Sequence, residues 1–185
     1  NSNETVFVFR FNTPPAQWKP EGMLMASSNA TGFGNSLAIS DGWIFVGTPE
    51  STVDGQSKAG AVLAYFWVET AHEWQLEQTL NATDPTSDAR FGFPSITVIG
   101  SQLAVGCAHC DNQQGAVYIF NLVDYGEWRL ATKLQTSDGA SGDRFGHSIA
   151  LEHDMLFVGT PGRDENRGCV YYFQNNNNTD RKSTR

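Results

Sequence analysis

Helical periodicity is absent from this 185-residue chain. No window carries a convincing run of apolar residues at i, i+3, i+4 and i+7, which argues against helical fold classes. No apolar run approaches the roughly 20 residues of a membrane-spanning helix. Basic residues are few: 12 Lys and Arg against 20 Asp and Glu leave a net charge of −8. Nucleic acid rewards a basic face, so that class of partner is not expected. Cysteine is too sparse for a structural zinc site, which needs four ligands and usually two Cys pairs, whereas only Cys107-Ala-His-Cys110 is paired. No glycine-rich run precedes a helix, so a phosphate cradle is not expected. Ser141 lacks the G-x-S-x-G frame of a nucleophile elbow, and the four histidines fall in different slots of the chain. A signal-peptide pattern is also missing, as in a mature or excised segment.

What the chain does have is repetition. Phe33-Gly34, Phe91-Gly92 and Phe145-Gly146 are each followed by an alternating apolar run that ends in Val46-Gly47, Val105-Gly106 or Val158-Gly159. A polar loop leads to Gly60-Ala-Val62, Gly115-Ala-Val117 or Gly168-Cys-Val170, and on to Phe66, Phe120 or Phe173. A Trp and a Leu six residues later close the unit: Trp74 and Leu80, then Trp128 and Leu134, with Trp18 and Leu24 ahead of the first Phe-Gly. The stretch from Gly47 to Gly60 is longer than that from Gly106 to Gly115. Length varies in a loop while the apolar positions keep register, as in a structural repeat.

Within each unit the period is two. Ser36–Ile39 and Trp43–Val46 flank an Asp41-Gly42 turn and predict a hairpin. Ala61–Phe66 predicts a buried third strand, and Trp74–Leu80, alternating apolar and polar, an outer fourth strand with one wet face. The expected strand runs are Leu37–Ile39, Ile44–Val46, Val62–Phe66 and Leu76–Leu80, with equivalents one repeat on. Four strands per unit of about 50 residues, without a helix, describe one blade of a β-propeller. A lone four-stranded sheet leaves its faces uncovered, so each blade depends on its neighbours.

Phe-Gly-x-Ser, then Val-Gly-Thr-Pro (Val46–Pro49, Val158–Pro161), then Gly-Ala-Val resembles the FG-GAP repeat. That family builds the propeller of integrin α subunits and many extracellular proteins. The middle copy departs from the pattern, with Phe91-Gly-Phe-Pro94 and Val105-Gly-Cys-Ala108. The expected fold class is all-β, a β-propeller segment of about three four-stranded blades, incomplete at both ends. Residues 1–31 are the second half of a blade, 32–90 and 91–144 two blades, 145–174 a partial blade, and 175–185 a polar tail or linker. A complete propeller needs more blades than this. The expectation is a window from a longer propeller, or a part that needs partners.

Some FG-GAP blades carry a calcium loop between their first and second strands. The corresponding turns here, around Asp41, Ser101 and Asp154, are short and poor in carboxylates, so no metal and no cofactor is expected. Asp138–Asp143 is more acidic but lies between blades, as a turn with Asp caps. Cys107 and Cys110 predict a local disulfide; free thiols or pairing with Cys169 are the alternatives. Asn3, Asn29, Asn81 and Asn177 head N-glycosylation sequons and, with the resemblance, favour a secreted or cell-surface protein.

The resemblance places ligand binding on the loops between second and third strands and on the blade connections. Carried over by position, that face includes Glu50, Asp54, His109, Asp111, Arg163 and Asp164. The expected function is a non-enzymatic extracellular scaffold for protein recognition or assembly, as in cell adhesion, with a protein partner or neighbouring subunits. The alternatives are a carbohydrate-binding propeller, whose partner is a glycan, and an accessory domain of a larger extracellular enzyme. Loop 107–115 has no aromatic on which a sugar could stack.

Overall fold

The computed structural model describes residues 4–27 and 30–174. Its strands are β1 (Thr5–Asn12), β2 (Gln17–Met25), β3 (Leu37–Ser40), β4 (Trp43–Thr48), β5 (Ala61–Val68), β6 (Glu73–Leu80), β7 (Ile96–Ile99), β8 (Gln102–Cys107), β9 (Ala116–Val123), β10 (Glu127–Leu134), β11 (Ser148–Glu152), β12 (Met155–Thr160) and β13 (Cys169–Gln174). They form four antiparallel meanders in chain order: β1-β2, β3-β4-β5-β6, β7-β8-β9-β10 and β11-β12-β13. These are called the first to fourth sheets. The four expected strand runs lie inside β3, β4, β5 and β6. Asp41 (φ 47°) and Gly42 (φ 81°) form the tight turn between β3 and β4.

Side-chain alternation sends each sheet's residues to two different neighbours. In the second sheet, Ile44, Val46, Leu63 and Tyr65 pack with Val8, Leu24 and Phe33. Trp43, Phe45, Val62 and Ala64 face the other way, against Phe91, Leu103, Phe120 and Trp128 of the third repeat unit. The third sheet repeats this with Ala104 and Val117 against Phe145, Leu156, Tyr171 and Phe173. Three seams therefore hold the core.

The repeated motifs meet at these seams. The amide of Phe91 donates to the carbonyl of Ala59 at 2.8 Å, and that of Phe145 to Gln114 at 2.9 Å, so these two Phe-Gly motifs are tied to the loop before the previous sheet's third strand, whereas the amide of Phe33 donates to the Glu4 carboxylate at 2.6 Å. Ser95 Oγ donates to the carbonyl of Gly146 at 3.0 Å, and Ser36 Oγ to that of Gly92. Gly115 (φ 90°) lies so close to Phe145 that a Cβ there would overlap the Phe145 backbone. The motif is thus a backbone-on-backbone contact between successive blades.

The fourth-strand Trp fills the same seams. Trp128 is 2% exposed and meets Trp43 and Phe45 edge-on, with ring centroids 5.8 Å and 5.1 Å apart. Its backbone is clasped from the second sheet by Gln78, whose Nε2 donates to the Trp128 carbonyl (2.8 Å) and whose Oε1 accepts from the Trp128 amide (2.9 Å). Trp18, in the same slot of the first sheet, is 67% exposed.

Candidate functional site

The loops between second and third strands lie at one end of the sheets, beside the connections that lead into each Phe-Gly. In the third sheet this loop makes a left-handed turn: Asp111, Asn112 and Gln113 have φ of 52°, 58° and 63°. The fourth sheet repeats it at Asp164, Glu165 and Asn166, with φ of 51°, 59° and 68°. Left-handed backbone costs an L-residue about 1–2 kcal/mol. Hydrogen bonds hold both turns, from the Gly115 amide to Cys110 O (3.0 Å) and from the Gly168 amide to Arg163 O (2.9 Å). Cys107 and Cys110 are joined as a disulfide across the start of the first turn.

Two polar clasps brace this end of the molecule, and they repeat. Tyr118 Oη donates to Asp84 Oδ1 at 2.8 Å across the seam between second and third sheets. Lys133 Nζ reaches Asp84 Oδ2 at 2.8 Å and Asp111 Oδ2 at 3.0 Å, tying the connection to the turn. One repeat on, Tyr171 Oη lies 3.3 Å from Asp138 Oδ1, and Arg163 pairs with Asp138 (2.9 Å) and Asp143 (3.1 Å). Asp84 and Asp138 each stand four residues after the closing Leu, and the tyrosines share a slot on the third strand. Burial alone would raise the Asp84 carboxyl, but bonds from Lys133 and Tyr118 outweigh it and hold it below the usual range. Burial opposes the Lys133 charge, and its bonds to Asp84 and Asp111 again win, keeping the ammonium firmly protonated. Burial, assisted by Asp84, raises the Tyr118 phenol; burial and the neighbouring Cys169 push Tyr171 to about 12. Both tyrosines are neutral donors at neutral pH.

Beside the first clasp opens a polar cleft of about 700 Å³, walled by Thr86, Asp88 and Arg90 on the connection and His109, Asp111 and Asn112 on the turn. His109 stacks on Phe93, ring centroids 5.9 Å apart and nearly parallel, and its buried Nδ1 has no hydrogen-bond partner among the described residues. Burial, then the charges of Arg90 and Arg144, hold its pKa below the usual histidine value, so the ring is neutral at pH 7. The cleft thus offers both signs of charge, amide and hydroxyl groups, and a neutral imidazole.

The six residues expected on the ligand face do not form one site. His109 and Asp111 share the cleft. Asp54 (φ 50°) lines a separate cavity of about 380 Å³ with Thr48, Ser51 and Asn81, and Glu50 is exposed on the same long loop. Arg163 is engaged with Asp138 and Asp143, and Asp164 lies on the second left-handed turn. Asn81 is exposed at the end of β6; Asn3, Asn29 and Asn177 lie outside the described residues. Cys169 is a half-buried free thiol and does not pair with Cys107 or Cys110. Sequence reasoning missed Asp84, Lys133, Tyr118, Tyr171 and Arg90. The signal was present in part, since the Tyr and Asp of the clasp recur in register.

A model of the FG-GAP repeat family matches residues 128–173. No curated protein matches the sequence. Among solved structures, a protein from Lactobacillus plantarum aligns with a TM-score of 0.64 at 12% identity, covering 97% of this chain and 48% of that one. The periplasmic gluconolactonase of Pseudomonas aeruginosa aligns with a TM-score of 0.56 at 16% identity, covering 94% of this chain and 47% of the other. The chain spans about half the length of both, and at these identities the likeness is one of fold. The expectation of a non-enzyme does not stand, because one of these propellers is an enzyme by name. Propeller loops can carry catalytic groups drawn from several blades, so the lack of a nucleophile constellation in one stretch excludes nothing. An FG-GAP repeat is thus matched over residues 128–173, its motifs recur in the preceding sheets, and the fold is that of β-propeller blades.

Proposed function

We propose that this stretch belongs to a secreted or cell-surface recognition propeller, of the integrin-α-like kind its repeat resembles, and that its loop end takes a protein partner. The observation that carries the reading is the cleft between Thr86–Arg90 and the 109–113 turn, with its walls tied together by Lys133 between Asp84 and Asp111. Walls fixed before binding lose little conformational freedom when a ligand arrives. The left-handed turns add to the argument, since strained backbone held by its surroundings clusters at binding sites. The Cys107–Cys110 disulfide suits an oxidising compartment, and Asn81 is open to a glycan. A protein surface with mixed charge suits this cleft better than a sugar, because no Trp, Tyr or Phe lines it.

The test is an array of extracellular protein domains beside a glycan array, both probed with the tetramerised chain and its Arg90→Glu variant. Binding to protein domains that the variant loses is the expected result. Binding to glycans alone, or binding indifferent to Arg90→Glu, would overturn the reading. The same preparation is assayed for hydrolysis of a sugar lactone, and turnover lost in His109→Gln would transfer the cleft to catalysis.

A further inference from the structure

Each Phe-Gly forms the middle of the same tight turn, whose fourth amide donates back to its first carbonyl: Asn35 to Gly32 at 3.2 Å, Phe93 to Arg90 at 3.0 Å and His147 to Arg144 at 3.2 Å. The first residue of every turn is left-handed, with φ of 74°, 55° and 59°. Glycine suits that backbone and stands there in the first copy, whereas the next two copies hold an arginine in it. A long side chain kept on a disfavoured backbone points to a use for that side chain. Among the described residues, neither the Arg90 nor the Arg144 guanidinium forms an ion pair.

The two arginine turns converge on His109. Its ring stacks on Phe93 of the first turn, with centroids 5.9 Å apart. After burial, the charges of Arg90, Arg144 and His147 hold its pKa down, and Asp88 opposes them. Two guanidinium groups thus flank a neutral imidazole at the polar cleft, which Arg90 and His109 wall. The carboxylates across from them are engaged: Asp111 Oδ2 holds Lys133 at 3.0 Å and Gln135 at 2.7 Å, and Asp84 holds Lys133 and Tyr118. Formal charges around the cleft balance, with Arg90, Arg144 and Lys133 against Asp84, Asp88 and Asp111. A neutral site in a chain of net charge −8 suits a single carboxylate, whereas a polyanion would run like charge past Asp88 and Asp111.

We propose that the cleft takes its partner by a carboxylate, an aspartate or glutamate side chain seated between the guanidinium groups of Arg90 and Arg144. That the carboxylate belongs to a protein rests on the function proposed above; the carboxylate site itself rests on the two turns. The planar fork of an arginine donates two parallel hydrogen bonds to a carboxylate, which fixes orientation as well as charge. Thr86 and Asn112, on facing walls, are placed for the backbone on either side of the acidic residue.

The probes are the capped peptides acetyl-Gly-Asp-Gly-amide and acetyl-Gly-Asn-Gly-amide, titrated at neutral pH and low salt into isotope-labelled protein while NMR follows the arginine side-chain Nε–H signals. Saturable shifts at Arg90 and Arg144 are expected with the Asp peptide, and binding about tenfold weaker or more with the Asn peptide, which lacks the charge. Arg90→Gln and Arg144→Gln should each weaken the Asp peptide about tenfold, and Arg90→Lys several-fold, because lysine keeps the charge and loses the fork. Arg129→Gln, at an exposed pair with Glu127, should leave binding unchanged. The parent protein's preference for Asp over Asn is a test that needs no variant to fold. Equal binding of the two peptides, or no saturable shift at millimolar peptide, overturns the proposal. So does tighter binding of a sulfated heparin disaccharide at the same arginines, which would make the site one for sulfated glycans. A protein domain captured on the array whose binding survives Arg144→Gln would overturn the carboxylate anchor and leave the protein reading standing. The Asp peptide bound as expected, with no protein domain captured, would uphold the carboxylate site and remove the protein reading.

Discussion

Replacing Gly115 by alanine should cost far more stability than replacing Gly142, although both have a φ of 90°. At Gly142 an added Cβ meets nothing within 4 Å. That variant therefore bears only the conformational cost of a left-handed alanine, about 1–2 kcal/mol. At Gly115 the Cβ would fall closer than 3.0 Å to the backbone N, C and O of Phe145, none of which can swing aside. Relief requires the fourth sheet to move away from the third. That strains the bonds from the Phe145 amide to Gln114 O (2.9 Å) and from the Arg144 amide to Gln113 O (2.8 Å). A buried amide left unpaired costs about 1–3 kcal/mol. The shift also loosens Phe145, which is fully buried against Tyr171 and Phe173. Added to the conformational cost, the loss should reach about 4 kcal/mol or more, a size that points to one specific mechanism. Urea denaturation of the two variants beside the parent measures the difference. If the two midpoints fell together, the backbone contact would not be what holds the seam, and the explanation of the Phe-Gly and Gly-Ala motifs given above would fail.

Trp128→Ala should lose about 3–5 kcal/mol by denaturation, whereas Trp18→Ala, in the same slot but 67% exposed, should change stability by less than about 0.5 kcal/mol. Comparable losses would mean that the slot matters through the strand itself rather than through the seam. A double-mutant cycle of Tyr118→Phe with Lys133→Met should give a coupling of about 0.5–1 kcal/mol, modest because Asp84 is half exposed, and additive effects would deny that the clasp acts as a unit. His109 is neutral in the folded chain at a pH where the unfolded chain already protonates it. The unfolded state then binds more protons, so stability should fall as pH drops below about 6.5. The difference between urea midpoints at pH 7.5 and 5.5 should shrink in His109→Phe, which keeps the stack on Phe93, and an unchanged difference would remove His109 from the account.

The seams could be read from the sequence because their residues are chemically singular. Only glycine tolerates the approach of Gly115 to Phe145, and a large ring in one strand slot fills a gap that nothing smaller can, so both recur at fixed places. The clasps hid for the opposite reason. Lys133 and Asp84 are 49 residues apart, and the cation comes from the fourth strand in one copy and from the loop in the next, as Arg163. Polar groups that reach their partners by different routes leave no period to detect. The acidic stretch Asp138–Asp143 was legible as a capped turn, and Asp143 does accept from the Ala140 amide at 2.9 Å. That both of its carboxylates also hold Arg163 depends on a fold that brings the next blade's loop over them. The left-handed turns at 111–113 and 164–166 carry no glycine, and their Asp and Asn residues, which tolerate positive φ, were a weaker signal of that backbone.

The seam between the second and third sheets is also asymmetric. One blade contributes the flat face of its second and third strands and the carbonyls of its loop; the next contributes a Phe-Gly amide and a tryptophan. The joint therefore has a direction, like a plug and its socket, and identical joints can follow one another without limit of order. A unit duplicated or exchanged between such joints meets on both sides the surfaces it left. Because every blade touches only its neighbours, such an event disturbs two contacts and spares the rest. Gain and loss of whole blades is thus a short mutational step for this architecture, and the loops on the polar end are free to diverge while the joints stay fixed.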